Sequence, residues 1–183
     1  MAQETRDAAG VRYTLFRSRR RTLALEIRPD GEIRVRAPLH APQRTIDAFV
    51  ASRRDWIAAH VARAARRRDF ETAHFGTEAQ CAALRAEAQR TLPALTALWA
   101  ARMGVEPTDV RITGARTRFG SCSAKNAISY SFRLMAYPPE AIEYVVVHEL
   151  AHIRHKDHSR AFYAAVEAVL PDYRRRAAML RFT

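Results

Sequence analysis

The segment HELAH at residues 148–152 constrains this chain most, because its spacing has a clear chemical use on a helix. Residues four apart lie on the same face of an α-helix, so His148 and His152 can direct two imidazoles at one ion. Glu149 projects beside them. The apolar run at residues 145–147 comes directly before the segment and predicts that this helix is packed into a core. The sequence therefore predicts a buried helix that carries a metal site.

The metal expected here is zinc. Imidazole nitrogens are preferred zinc ligands, and catalytic zinc sites normally have three protein ligands and one open position. His158, six residues after His152, has the spacing of the third histidine in the pattern H-E-x-x-H-x-x-G-x-x-H. His155 replaces the glycine of that pattern, so Lys156 or Asp157 is expected to reverse the chain. His155 is the rival third ligand, and a distant carboxylate is a further alternative.

Strand patterns dominate the first part of the chain. Apolar and polar residues alternate before and after Pro29-Asp30-Gly31, which predicts a β-hairpin with its turn at these residues. The period then becomes helical from Gln43 to about Arg67, with Arg66-Arg67-Arg68 at the helix end.

The second part begins with a long helix predicted from Glu78 to Met103, which Pro93 should kink or interrupt. Three short strand-like segments follow, at residues 109–112, 117–122 and 127–134. After the HELAH helix, Ser159 is expected to cap another helix, and a short basic helix follows it. We expect an N-terminal β-rich lobe with one helix at residues 1–68, a linker at 69–77 and a second domain at 78–183.

Bulk composition predicts a folded protein. The chain has 183 residues, of which 48% are apolar, enough for a hydrophobic core. The first residues contain no apolar signal region, and no apolar run is long enough to cross a bilayer. Cys81 and Cys122 are expected to be reduced thiols. These features predict a cytoplasmic protein with no membrane partner.

The net charge of +12 favours a polyanionic partner such as a nucleic acid or a nucleotide. The excess is nearly all arginine, however, and the chain is also rich in alanine. A bias in composition accounts for the charge equally well. Nucleic-acid binding through a basic surface and a merely solvated basic surface are therefore both open interpretations.

The sequence resembles the YgjP-like branch of the SprT-like zinc metallopeptidases. The similar elements are RFGSC at residues 118–122, the Arg133-Leu134 pair, the HELAH segment with its preceding YVVV, DHSRAF at residues 157–162 and PDY at residues 171–173. The resemblance extends to the first lobe, through RTLALEIRPDGEIRVRAP at residues 21–38. It implies an α+β fold in which a small hairpin and helix lobe precedes a minimal zincin-like domain with a short antiparallel sheet. It also implies Zn²⁺ held by His148, His152 and His158, with Glu149 as general base.

Four positions depart from the pattern of that family. Phe119 replaces a usual tryptophan, Asn126 a common glycine, Ser131 a usual asparagine, and Asp157 the usual asparagine before the third histidine. None is one of the four core residues, so these differences concern the wall of the pocket. The candidates for stabilising a developing oxyanion are Arg118, Arg133, Tyr130 and Tyr163, and a structural or surface role is the main alternative for each.

The expected function is a metallopeptidase that uses zinc-bound water activated by Glu149. Zinc chemistry does not itself select amides over phosphoanhydrides, so a zinc-dependent phosphohydrolase acting on nucleotides is an alternative. A nucleic-acid-associated protein whose basic surface binds DNA or RNA is a third reading. The expected substrate is thus a polypeptide or a nucleotide.

Overall fold

The computed structural model describes residues 3–181, and two compact units divide the chain between Thr72 and Ala73. The first unit contains a four-stranded sheet with a separate apolar core. The second contains a three-stranded sheet, the HELAH helix and a larger apolar core. The boundary between the units falls inside the range 69–77.

The sheet of the first unit has the strand order β1-β2-β4-β3. Its strands are β1 (Gln3–Ala8), β2 (Val11–Ser18), β3 (Ala24–Ile27) and β4 (Ile33–Pro38). The predicted hairpin is confirmed: β3 and β4 are antiparallel, and Ile27 pairs with Ile33. Gly31 in the connecting turn has a φ of 89°, which a residue with a Cβ rarely adopts. The parallel pairing of β2 with β4 was not expected, because it joins strands that are not neighbours in sequence.

Two helices stand where one was expected in this unit. They are α1 (Gln43–Ala51) and α2 (Arg54–Phe75). The predicted helix end near Arg67 is wrong, since α2 continues through residues 69–75 of the expected linker. The chain offers no glycine or proline after Arg67 until Gly76, so nothing local stops the helix earlier.

The second unit opens with α3 (Glu78–Met103), whose predicted bounds are confirmed. Thr77 caps its first turn, and Gln80 completes a reciprocal capping box. Gly104 ends it in the left-handed conformation with a φ of 63°. Pro93 does not interrupt the helix.

The sheet of the second unit comprises β5 (Asp109–Thr113), β6 (Gly120–Cys122) and β7 (Ala127–Ser131), in the order β5-β7-β6. β6 is antiparallel to β7, as expected, but β5 is parallel to β7, so the sheet is mixed. A 3-10 helix (Phe132–Ala136), α4 (Pro139–Ala151), α5 (Arg160–Val169) and α6 (Tyr173–Ala178) follow. The α+β fold class is confirmed.

Cys81 and Cys122 are both free cysteines, and each is partly buried. Among the residues that the structure describes, no helix is long and apolar enough to cross a membrane.

Candidate metal centre

Helix α4 positions the first part of the site. Pro139 occupies its first turn, and eight residues of the helix are buried, among them Val145, Val146 and Val147. This packing holds the last turn of α4 in a fixed place within the core. His148 and Glu149 lie in that turn, and His152 is the residue that ends the helix.

The loop after α4 brings His158 back toward this turn. Among the described residues, the non-glycine residues with positive φ are Ala9 and Asn126, so the loop needs no left-handed residue at 153–157. Instead, backbone N–H groups of residues 153–155 donate to carbonyls of Leu150 and Ala151, which tightens the chain into a turn. The chain also bends at Lys156 and Asp157, the two residues expected to reverse it, and neither adopts a left-handed conformation.

Lys156 contributes to the loop in a different way. Its ammonium group donates to the Asn126 side-chain oxygen at 2.6 Å and to the Ser123 carbonyl at 3.0 Å. Asn126 itself has a φ of 63°, a conformation that asparagine tolerates better than most residues. The departure from glycine at position 126 therefore supplies an anchor for the loop.

Three imidazoles converge at the end of α4. The ligand atoms offered by His148, His152 and His158 all lie within 4.8 Å of one another. The Nε2 atoms of His148 and His158 are 3.1 Å apart. The structure does not bring the His155 side chain into this group; it brings the His155 carbonyl, which lies 2.9 Å from Nδ1 of His152.

Phe162 forms a floor beneath the three imidazoles. Its ring centroid lies 4.9 Å from that of His148, 4.5 Å from that of His152 and 5.0 Å from that of His158. Phe162 has 0% exposure and lies in the first turn of α5, which Ser159 caps. Its contact with all three rings depends on how α5 packs beside α4.

Two further contacts orient the rings. The Tyr144 hydroxyl lies 3.3 Å from Nδ1 of His148, and the His155 carbonyl accepts from Nδ1 of His152. With Nδ1 occupied, Nε2 is the nitrogen of each ring that could bind a metal ion. Sequence reasoning missed Tyr144, although it precedes His148 by four residues and so lies on the same helix face.

Burial controls the charges at this site. Burial, followed by the nearby His152 and His158, lowers the pKa of His148 to about 4, so this imidazole is neutral at pH 7. Glu149 is 5% exposed, and burial raises the pKa of its carboxyl to about 7, while the charge of Arg118 acts in the opposite direction. A neutral imidazole can donate a lone pair to a metal ion.

Gly120 makes room for Glu149. A Cβ atom at position 120 would lie 2.6 Å from both Cγ and Oε1 of Glu149, closer than side chains tolerate. Gly120 begins β6, an edge strand of its sheet. This contact places the start of the GSC segment, residues 120–122, beside Glu149.

Similarity to known protein families shows the family to which this chain belongs. Residues 21–82 and 76–182 match the YgjP-like metallopeptidase domain, and these two matches cover most of the chain. The chain belongs to the YgjP-like metallopeptidase family. The predicted resemblance is thereby confirmed, and the chain is a metal-dependent hydrolase at the level of its family.

Comparisons with individual proteins add less. The chain is similar to the crystal structure of the metallopeptidase zymogen of Pyrococcus abyssi abylysin, with 23% sequence identity and a TM-score of 0.46. That likeness covers 49% of this chain and 91% of the other. A comparison with curated proteins found no match.

The four candidates for stabilising an oxyanion in this YgjP-like protein have different surroundings. Arg133 is buried, with its guanidinium 3.9 Å from the centre of the Phe75 ring. Tyr130 is also buried and bonds to the Thr96 hydroxyl. Both are therefore parts of the core.

Arg118 and Tyr163 remain as candidates for that role. Arg118 is exposed and lines a small pocket of about 110 Å³ together with Gly120. Tyr163 is 37% exposed, and its ring centroid lies 6.2 Å from that of His158.

Proposed function

We propose that the chain is a zinc-dependent peptidase in which His148, His152 and His158 hold the metal and Glu149 is the general base. One observation carries the proposal: three imidazoles converge beside a buried carboxylate in a YgjP-like metallopeptidase.

The donor set fits zinc. Two nitrogen ligands of a tetrahedral zinc ion, each at about 2.05 Å from it, lie roughly 3.3 Å apart. The 3.1 Å between Nε2 of His148 and Nε2 of His158 is close to this separation. Three imidazoles leave the fourth tetrahedral position open, which is the arrangement of a catalytic rather than a structural zinc site.

The residues of this chain have separate tasks in such a reaction. A bound zinc ion supplies a water of lowered pKa and polarises the scissile carbonyl. Glu149 accepts the proton of the attacking water and passes it to the leaving amine. The His155 carbonyl accepts from Nδ1 of His152 and so keeps Nε2 of that ring unprotonated, while the Tyr144 hydroxyl orients His148 through its Nδ1.

We propose Arg118 as the group that stabilises the developing negative charge. Its charge acts on Glu149, and it lines the small pocket beside Gly120. A guanidinium at this position can donate hydrogen bonds to an oxyanion. Tyr163 is the alternative donor, because its ring lies beside that of His158.

A metal analysis of two matched variants tests the ligand assignment. His158→Ala is expected to lose most of the zinc, because it removes one of three nitrogen donors. His155→Ala is the control, since it removes the rival imidazole but keeps the carbonyl that contacts His152. Stoichiometric zinc in His158→Ala together with loss of zinc in His155→Ala would contradict the assignment.

A further inference from the structure

The first unit contains a groove that has no part in the metal centre. Its volume is about 700 Å³, and one wall is formed by residues 23–25, at and just before the start of β3. Residues 51–56, where α1 ends and α2 begins, form the other wall together with Phe49. The groove therefore lies wholly within residues 23–56.

The wall formed by β3 offers backbone hydrogen bonds. β3 is an edge strand, because the order β1-β2-β4-β3 gives it β4 as a neighbour on one side only. An edge strand can pair with an extended peptide through its outward N–H and C=O groups. Leu23 and Leu25 add apolar surface to the same wall.

The opposite wall is aromatic and basic. Trp56 is 45% exposed, and its ring is stacked on that of His60 at 3.8 Å, which fixes its orientation. The guanidinium of Arg53 lies 4.0 Å from the centre of the Phe49 ring. Arg54 also lines the groove, and a single carboxylate, Asp55, opposes the two arginines.

We propose that this groove binds an extended, acidic stretch of polypeptide, which adds to β3 as a further strand. This deepens the proposed peptidase function and rests on it in one respect: it identifies the bound polypeptide as substrate. Backbone pairing to β3 supplies affinity, Arg53 and Arg54 select acidic side chains, and Trp56 covers an apolar one. A peptide can pair with the edge strand, contact the apolar wall and neutralise the arginines. A nucleic acid can only neutralise the arginines and stack on the exposed Trp56 ring.

Binding to the full-length Glu149→Gln protein tests the proposal, because that variant is expected to bind without cleaving. The probes are a short fluorescent peptide that alternates valine with glutamate, the same peptide with lysine for glutamate, and a single-stranded oligonucleotide. We expect the glutamate peptide to bind and the lysine peptide to fail. Backbone amide signals of residues 24–27 should shift on binding, since the peptide pairs with them.

Variants of residues that line the groove show whether it is the binding site. Arg54→Glu and, separately, Trp56→Ala are each expected to lower the affinity for the glutamate peptide by about tenfold or more. Both positions are exposed, so folding should persist, and circular dichroism checks this. Arg44→Glu is the matched control, because Arg44 is an exposed residue of α1 outside the groove lining.

Three results would overturn the proposal: equal weakening by Arg44→Glu, unchanged amide signals in β3, or tighter binding of the oligonucleotide than of the peptide. Failure of this proposal is separable from failure of the proposed function. Peptide binding without any hydrolysis by the wild-type protein contradicts the peptidase assignment alone, whereas hydrolysis without binding at the groove contradicts the groove alone.

Discussion

Gly120 and Glu149 are packed so closely that a single added methyl group at position 120 would lie 2.6 Å from the glutamate side chain. The two residues are far apart in sequence, one at the start of an edge strand and the other on the buried face of α4. This contact limits where the Glu149 carboxylate can lie. Strand β6 therefore helps to position the site although it contributes no reacting group.

Gly120→Ala is expected to lower turnover by about 100-fold, because small displacements of a catalytic group have effects of this size. Zinc content should remain stoichiometric, since Glu149 is not one of the proposed ligands. Steady-state kinetics with metal analysis measures both. Gly114→Ala is the control, because its Cβ would lie at an ordinary 3.6 Å from the Phe132 ring. Wild-type turnover in Gly120→Ala would show that the contact does not position Glu149.

Tyr144→Phe is expected to weaken zinc binding by about tenfold or more, because partners that orient a metal-bound histidine have effects of this order. The variant removes the oxygen that lies 3.3 Å from Nδ1 of His148. Competition with a chromogenic chelator measures the affinity. Tyr173→Phe removes the same atom from a neighbouring ring, which stacks on Tyr144, and should bind zinc as the wild type does. Equal zinc affinities for the wild type and both variants would show that Tyr144 does not orient His148.

Phe162→Ala is expected to destabilise the fold by about 3–5 kcal/mol, the usual effect of removing a fully buried phenylalanine ring. It should also weaken zinc binding, since the ring supports all three imidazoles. Val166→Ala is the control, because Val166 is equally buried one turn further along α5. Urea unfolding gives the stability, and a chelator competition under folding conditions gives the affinity. A similar affinity in the two variants would mean that Phe162 is only a core residue.

Asp172 predicts a pH dependence of stability. Its carboxylate accepts from Arg175 and Arg176, and these bonds hold its pKa below the ordinary 3.8. A carboxyl whose pKa is lowered on folding stabilises the protein above its unfolded pKa and loses that effect as the pH falls through the folded value. Asp172→Asn should therefore be less stable than the wild type at pH 7, with the difference shrinking below pH 3.8. Urea unfolding across this range measures it, and a difference that grows on acidification would contradict the account.

The parts of the fold that depend on local patterns could be predicted from the sequence. The hairpin at Pro29-Asp30-Gly31, the bounds of α3 and the burial of α4 follow from turn chemistry, caps and periodicity. β1 could not be predicted, because its residues QETRDA are mostly polar and its place comes from backbone pairing with β2. The parallel pairing of β5 with β7 likewise joins distant segments, which no local pattern specifies.

The candidate site shows the same division. The spacing of His148, His152 and Glu149 identified the helix part of the site. Tyr144 was accessible to the same reasoning, since it lies one turn before His148. The contact of Gly120 with Glu149 and the floor made by Phe162 were not, because each depends on how two separate elements pack.

In the proposed reaction, Glu149 drives hydrolysis of a peptide bond at a zinc centre held by three histidines. The most direct measurement compares zinc-loaded wild type and Glu149→Gln on an unstructured protein and on nucleoside triphosphates, with and without chelator. We expect the wild type to cleave the protein only with zinc present, and Glu149→Gln to retain stoichiometric zinc but to have no turnover. Undiminished proteolysis by Glu149→Gln, or zinc-dependent hydrolysis of the triphosphates without any of the protein, would contradict it.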